Sequence, residues 1–127
     1  MAKTALDLTQ EEIADYRAAD RQRKIRSEQV QQQRLERARV VAHQAAALLK
    51  TQFGASRVVL FGSVARERLF HRDSDIDLAV EGIENRDFWR AWSALDRVAG
   101  KFEIDLVDIE TASPRLLAIL DQKGVEL

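Results

Sequence analysis

The 127-residue chain contains no cysteine, which excludes disulfide staples and thiolate metal ligands and fits a reducing compartment. Proline occurs once and glycine five times, and neither occurs between Gln10 and Phe53. Nothing in that stretch interrupts a helix. No apolar run approaches the ~18 residues of a membrane span. The opening MAKTALDLTQEE lacks the apolar stretch of a secretory signal, so a cytoplasmic protein is expected. Bulk charge is also absent: the formal net charge is −1, and the molecule as a whole does not attract polyanions. The balance is uneven, with ten Lys/Arg against seven Asp/Glu in residues 1–50 and ten against fourteen in residues 51–127.

What is present suits one compact domain with length left for an extension. Thr9 and Glu12 have the spacing of a capping box, which predicts a helix from Gln10. Its first part is charged and glutamine-rich. Leu35, Val41, Leu48 and Leu49, with alanines between them, then form an apolar stripe that Gly54 ends. The expected division is a polar helical arm over residues 1–35 and a folded domain over residues 36–127.

RVVLF (Arg57 to Phe61) is a continuous apolar run that suits a buried strand. SDIDLAV alternates, with Ile76, Leu78 and Val80 on one face and Asp75, Asp77 and Ala79 on the other. NRDFWRAWSALDRVAG repeats apolar residues at helical spacing and closes at Gly100. KFEIDLVDIE is a further strand. TASPRLLAILDQKG has Ser113 at the cap, Pro114 at the first helical position and Gly124 past the end. The class expected is α/β (α+β), a small mixed sheet flanked by helices. His43 reads as structural, and Trp89 and Trp92 as core and core edge, with Trp89 also able to stack on a base.

Asp75 and Asp77 stand two residues apart and so project the same way from a strand. Each disfavours ionisation of the other, and a divalent cation reverses that balance. Mg²⁺ takes hard oxygens, commonly one or two carboxylates with substrate phosphates. Directly after RVVLF, Gly62 and Ser63 suggest a sharp turn into a helix whose free N–H groups and serine hydroxyl bind phosphate. A phosphate cradle and an acidic pair together imply a nucleotide with its metal. A third acid is expected on the strand EIDLVDIE, where Glu103 and Asp105 share a face. Asp105 is preferred because apolar residues flank it.

LFGSVARE, SDIDLAV and EIDLVDIE together resemble the minimal nucleotidyltransferases of the DNA polymerase beta-like superfamily, over roughly Leu35 to Leu127. The resemblance implies the polymerase beta-like fold with a long N-terminal helical extension. It makes Asp75, Asp77 and Asp105 catalytic and metal-binding residues around two Mg²⁺ ions. Gly62 and Ser63 become the phosphate-binding residues for ATP. Arg66 either offsets transition-state charge or forms a surface salt bridge. The segment between Ser63 and Asp75 is one residue longer than is usual in that family, and Glu67 stands where the family has glycine. The roles of Arg66, His71 and Arg72 therefore lie open.

Larger relatives carry a helical domain for the acceptor, for which this chain is expected to have no room. By resemblance, it is the antitoxin of a HEPN ribonuclease toxin, transferring AMP to a tyrosine of that partner. Ile13, Tyr16, Ile25 and Val30 of the arm are candidate partner contacts. RQRKIR could touch RNA, but Asp15, Asp20 and Glu28 dilute its charge, so direct nucleic-acid binding is not expected. Two alternatives differ in kind. In one, a non-catalytic antitoxin neutralises its partner by occlusion. In the other, a nucleotidyltransferase acts on a small molecule or an RNA end.

Overall fold

The computed structural model describes residues 8–66, 70–71 and 75–127. The chain divides into two compact units, Met1–Gln33 and Arg34–Leu127. Helix α1 (Gln10–Phe53) contributes to both. Its start is the expected box: Glu12 N–H donates to Thr9 Oγ1 at 3.1 Å, and that hydroxyl donates to Glu12 Oε1 at 3.2 Å. In the first unit Tyr16, Ile25 and Val30 are exposed, and Ile13 is partly covered.

In the second unit the character of α1 changes at Leu35. Leu35, Ala38, Ala42, Ala45, Ala46, Leu48 and Leu49 are buried, an i, i+3, i+4 stripe that packs on the sheet. Val41 lies at the edge of that stripe, and His43 points to solvent rather than into a core. Gly54, at φ 73°, ends the helix.

Four strands follow in the order β3-β2-β1-β4. β1 (Arg57–Phe61) pairs antiparallel with β2 (Ile76–Glu81), and β2 pairs parallel with β3 (Ile104–Asp108). The two-residue β4 (Val125–Glu126), which the sequence did not announce, closes the far edge against β1. Among the described residues, α2 (Asn85–Ala94), α3 (Asp96–Ala99) and α4 (Pro114–Lys123) complete the helices. The helix expected over residues 85–100 is thus broken at the buried Leu95, whose N–H bonds to the Trp92 carbonyl three residues back. The α4 cap is as expected, with Leu116 N–H donating to Ser113 Oγ at 3.2 Å.

The sheet has two unlike faces. Val58, Leu60, Ile76, Leu78, Val80, Ile104 and Leu106 join α1, α2 and α3 in the main core. Across the sheet, Val59 and Ala79 meet Ile109 and Leu120, with Phe61, Val107 and Leu116 packed around them. Ala79 is fully buried on what the alternation marks as the polar face of β2. That second cluster occupies one end of its face, and the acids lie toward the other.

Some boundaries differ from the sequence pattern. β2 begins at Ile76, so Asp75 precedes it. β3 is shorter than KFEIDLVDIE because Ile109–Thr111 curl into a 3-10 turn. Asp108 sits at the strand end and caps that turn, its Oδ1 accepting from Glu110 N–H at 2.9 Å.

Candidate active site

Register brings the acids together. Asp77 is opposite Phe61 on one side and opposite Asp105 on the other. The three side chains form a rung on the face bearing the smaller cluster, across strands spaced about 4.8 Å apart. The next rung, Val59, Ala79 and Val107, is apolar and covered by α4. Asp77 is accordingly half-buried with Phe61 beside it, whereas Asp105 on the edge strand is exposed.

This position has an electrostatic consequence. The Asp77 carboxyl is pushed up from 3.8 to about 6, first by burial, then by the negative charge of Asp105, then by that of Asp75. Asp75 thus acts on Asp77 electrostatically although it lies outside the strand.

Gly62 completes the geometry. Its φ is 75°, a conformation that β-carbon-bearing residues rarely adopt. A Cβ placed there would collide with Asp77 Oδ2 and crowd its Cγ. Glycine is therefore required by both the turn and the carboxylate beside it. Residues 62–65 form a turn anchored by the fully buried Val64, and Arg66 N–H donates to the Gly62 carbonyl at 3.1 Å. The helix expected to start here is not formed among residues 62–66, which are turn and bend. Ser63 is partly exposed in the turn and Arg66 is exposed. Glu67 and Arg72 lie outside the described residues, and His71 is exposed.

Whether these residues suit Mg²⁺ is a question of donors. Among the described residues no three His, Asp or Glu side chains are gathered closely enough to hold a metal ion by themselves. The rung nevertheless offers hard carboxylate oxygens from Asp77 and Asp105, with Asp75 adjoining, and the Asp77 carboxyl is raised first by burial and then by the negative charge of its neighbours. Mg²⁺ commonly takes one or two carboxylates and fills its shell with phosphate and water. The donor chemistry fits that ion.

A groove of about 480 Å³ opens beyond the rung, between α2, the end of β3 and α4. Phe88, Trp89, Val107, Asp108 and Leu116 contribute to its walls. Trp89 does not take the core or core-edge position expected of it: it is 71% exposed and stacks on Trp92 at 5.3 Å with 10° between the rings. Trp92 is anchored by its Nε1–H, which donates to the Ile104 carbonyl at 2.8 Å. Sequence reasoning passed over Phe61 as a site residue. Its place, last in an apolar strand and directly before the glycine, was the available signal.

Residues 43–127 match the model of the family described as Polymerase beta, Nucleotidyltransferase. The chain belongs to the polymerase beta nucleotidyltransferase family. A protein described as a minimal nucleotidyltransferase is 33% identical over 73% of this chain and 95% of its own, with a TM-score of 0.60. A chain of a toxin–antitoxin complex crystallised with AMP-PNP is 29% identical over 67% of this chain and 70% of that one, with a TM-score of 0.57. The complex of a tri-AMPylated Shewanella oneidensis HEPN toxin with its MNT antitoxin contains a chain 24% identical over 70% of each, with a TM-score of 0.51, a likeness of fold. Comparison with curated proteins gives no significant match. No helix among the described residues is long and apolar enough to cross a membrane.

Proposed function

We infer that this nucleotidyltransferase is a cytoplasmic antitoxin that transfers AMP from ATP to a tyrosine hydroxyl of a cognate HEPN-type ribonuclease toxin. The observation that carries the reading is the rung of Asp77 and Asp105 beside the Gly62 turn, with Asp77 raised to about 6. Similarity to a toxin–antitoxin chain crystallised with an ATP analogue supports the choice of nucleotide and of partner class.

In this reading Gly62 and Ser63 hold the terminal phosphates through backbone N–H groups and the hydroxyl. Arg66 offsets charge on the leaving group. Asp105, exposed on the edge strand, takes the proton of the acceptor hydroxyl. The acceptor oxygen bonds to the α-phosphorus as the α–β bridging bond breaks, and pyrophosphate departs toward the Gly62 turn. Asp75, Asp77 and Asp105 would hold Mg²⁺, which when bound neutralises charge on the attacking and leaving oxygens. Asp77, protonated more readily than an ordinary carboxyl, would hold the ion in its ionised form. Residues 36–127 are the catalytic domain and residues 1–35 an arm that adds contact area to the partner.

The test is transfer of label from α-³²P-ATP, with Mg²⁺, to the helical protein encoded beside this chain. Labelled partner with the natural chain, and none with Asp77→Asn, supports the reading. Neutralisation of the partner kept in Asp75→Ala/Asp77→Ala, without labelling by the natural chain, establishes occlusion instead. Label found on RNA or a small molecule moves the acceptor to another class.

A further inference from the structure

β3 is an edge strand, and among the described residues only its β2 side is paired. The Glu103 carbonyl faces β2, where it accepts from Ile76 N–H at 2.9 Å. Alternation along the strand turns the backbone of Ile104 and Leu106 outward. The Ile104 carbonyl is already taken by Trp92 Nε1–H. The outward N–H and C=O of Leu106 come next, and there the groove opens, walled by Phe88, Trp89 and Leu116. An unpaired strand edge beside an exposed aromatic wall fits an extended peptide, which pairs through its main chain and seats alternate side chains in pockets.

The direction of reaction selects which peptide. This step rests on the reading proposed above. With the terminal phosphates at the turn after β1, the leaving group departs on the β1 side of β2. An in-line displacement then requires the attacking oxygen on the opposite side, toward β3. Val107, in the groove, shares a face with Asp105 about 7 Å along the strand. Charge narrows the choice further: Glu103, Asp105, Asp108 and Glu110 line this segment, and no Lys or Arg occurs between Phe102 and Pro114.

We propose that the β3-edge groove docks the acceptor segment of the partner protein. That segment is extended and basic, pairs with Leu106, rests an apolar side chain on Trp89, and presents its tyrosine hydroxyl at Asp105.

The test uses the full ¹⁵N-labelled chain and the blocked peptide KVYVK, followed by NMR with and without Mg²⁺ and AMP-PNP. The expected result is saturable shifts of the Leu106, Val107 and Asp108 amides and the Trp89 indole, with weaker binding of the acidic peptide EVYVE. Trp89→Ala, an exposed position that leaves the fold intact, should weaken the peptide about tenfold, the size of an interface anchor, and leave AMP-PNP binding unchanged. Shifts that map elsewhere, no saturable shift at roughly 10 mM peptide, or AMP-PNP itself occupying the Trp89 indole overturn the proposal. Peptide shifts at the groove without an AMP-PNP response at Gly62 and Asp77 would refute the reaction reading and keep the groove. The reverse pattern would refute the groove alone.

Discussion

Replacing Asp77 by asparagine should stabilise the protein while removing its proposed chemistry. The folded-state value of the carboxyl, about 6, lies above the ordinary 3.8, so the folded chain holds this proton more tightly than the unfolded chain. The stabilisation that this provides is complete below 3.8, declines as pH rises through about 6, and is gone above it. At face value the shift equals about 3 kcal/mol between the two protonation states. Partial contact with water screens the neighbouring charges, leaving ~1–2 kcal/mol. Asparagine fills nearly the same space and never ionises. In EDTA at pH 8, Asp77→Asn should therefore melt roughly 5–10 °C above the natural chain, and at pH 4 the two should nearly coincide. Thermal unfolding followed by circular dichroism at both pH values measures this directly. Adding Mg²⁺ and AMP-PNP should reverse the order, because only the natural chain gains binding energy. A variant no more stable than the natural chain at pH 8 in EDTA would refute the account of burial and like charge at this rung.

Gly62→Ala should destabilise by about 1–3 kcal/mol, from positive φ and from collision with Asp77, and should lose nucleotide binding; chemical denaturation and AMP-PNP titration check the two parts. Leu78→Ala, at a fully buried position in the inner strand β2, should cost about 2–5 kcal/mol in a urea melt. Amide hydrogen exchange should split α1 in two. Residues 10–33, with little apolar cover, should exchange quickly, and the buried positions from Leu35 to Leu49 slowly. Uniform protection along the helix would contradict that division.

The polar half and the buried half of α1 were legible because burial leaves an i, i+3, i+4 trace, and that trace begins at Leu35. The alternation in SDIDLAV likewise placed Ile76, Leu78 and Val80 in the core. The same pattern marked Ala79 as belonging to the polar face, yet it is fully buried, because α4 covers that face from a distant part of the chain. Local pattern has no access to such a layer. Trp89 misled for the opposite reason: an indole ordinarily earns burial, but a second indole and a groove wall hold it at the surface. In the site, residue types and spacing pointed to Gly62, Asp77 and Asp105, and only register placed Asp77 between Phe61 and Asp105. The raised Asp77 depends on that arrangement, since desolvation comes from packing across strands. Residues 62–66 form a turn where a helix start was expected, and the neighbouring Glu67 and Arg72 lie outside the described residues.

The most direct measurement is a crystal structure of the full chain with Mg²⁺ and AMP-PNP. The account predicts metal within about 2.1 Å of carboxylate oxygens of Asp75 and Asp77. It also predicts the terminal phosphates against the Gly62 and Ser63 backbone, and Asp105 facing the α-phosphate. Nucleotide bound away from this rung, with the three carboxylates turned apart and no ion between them, would contradict it.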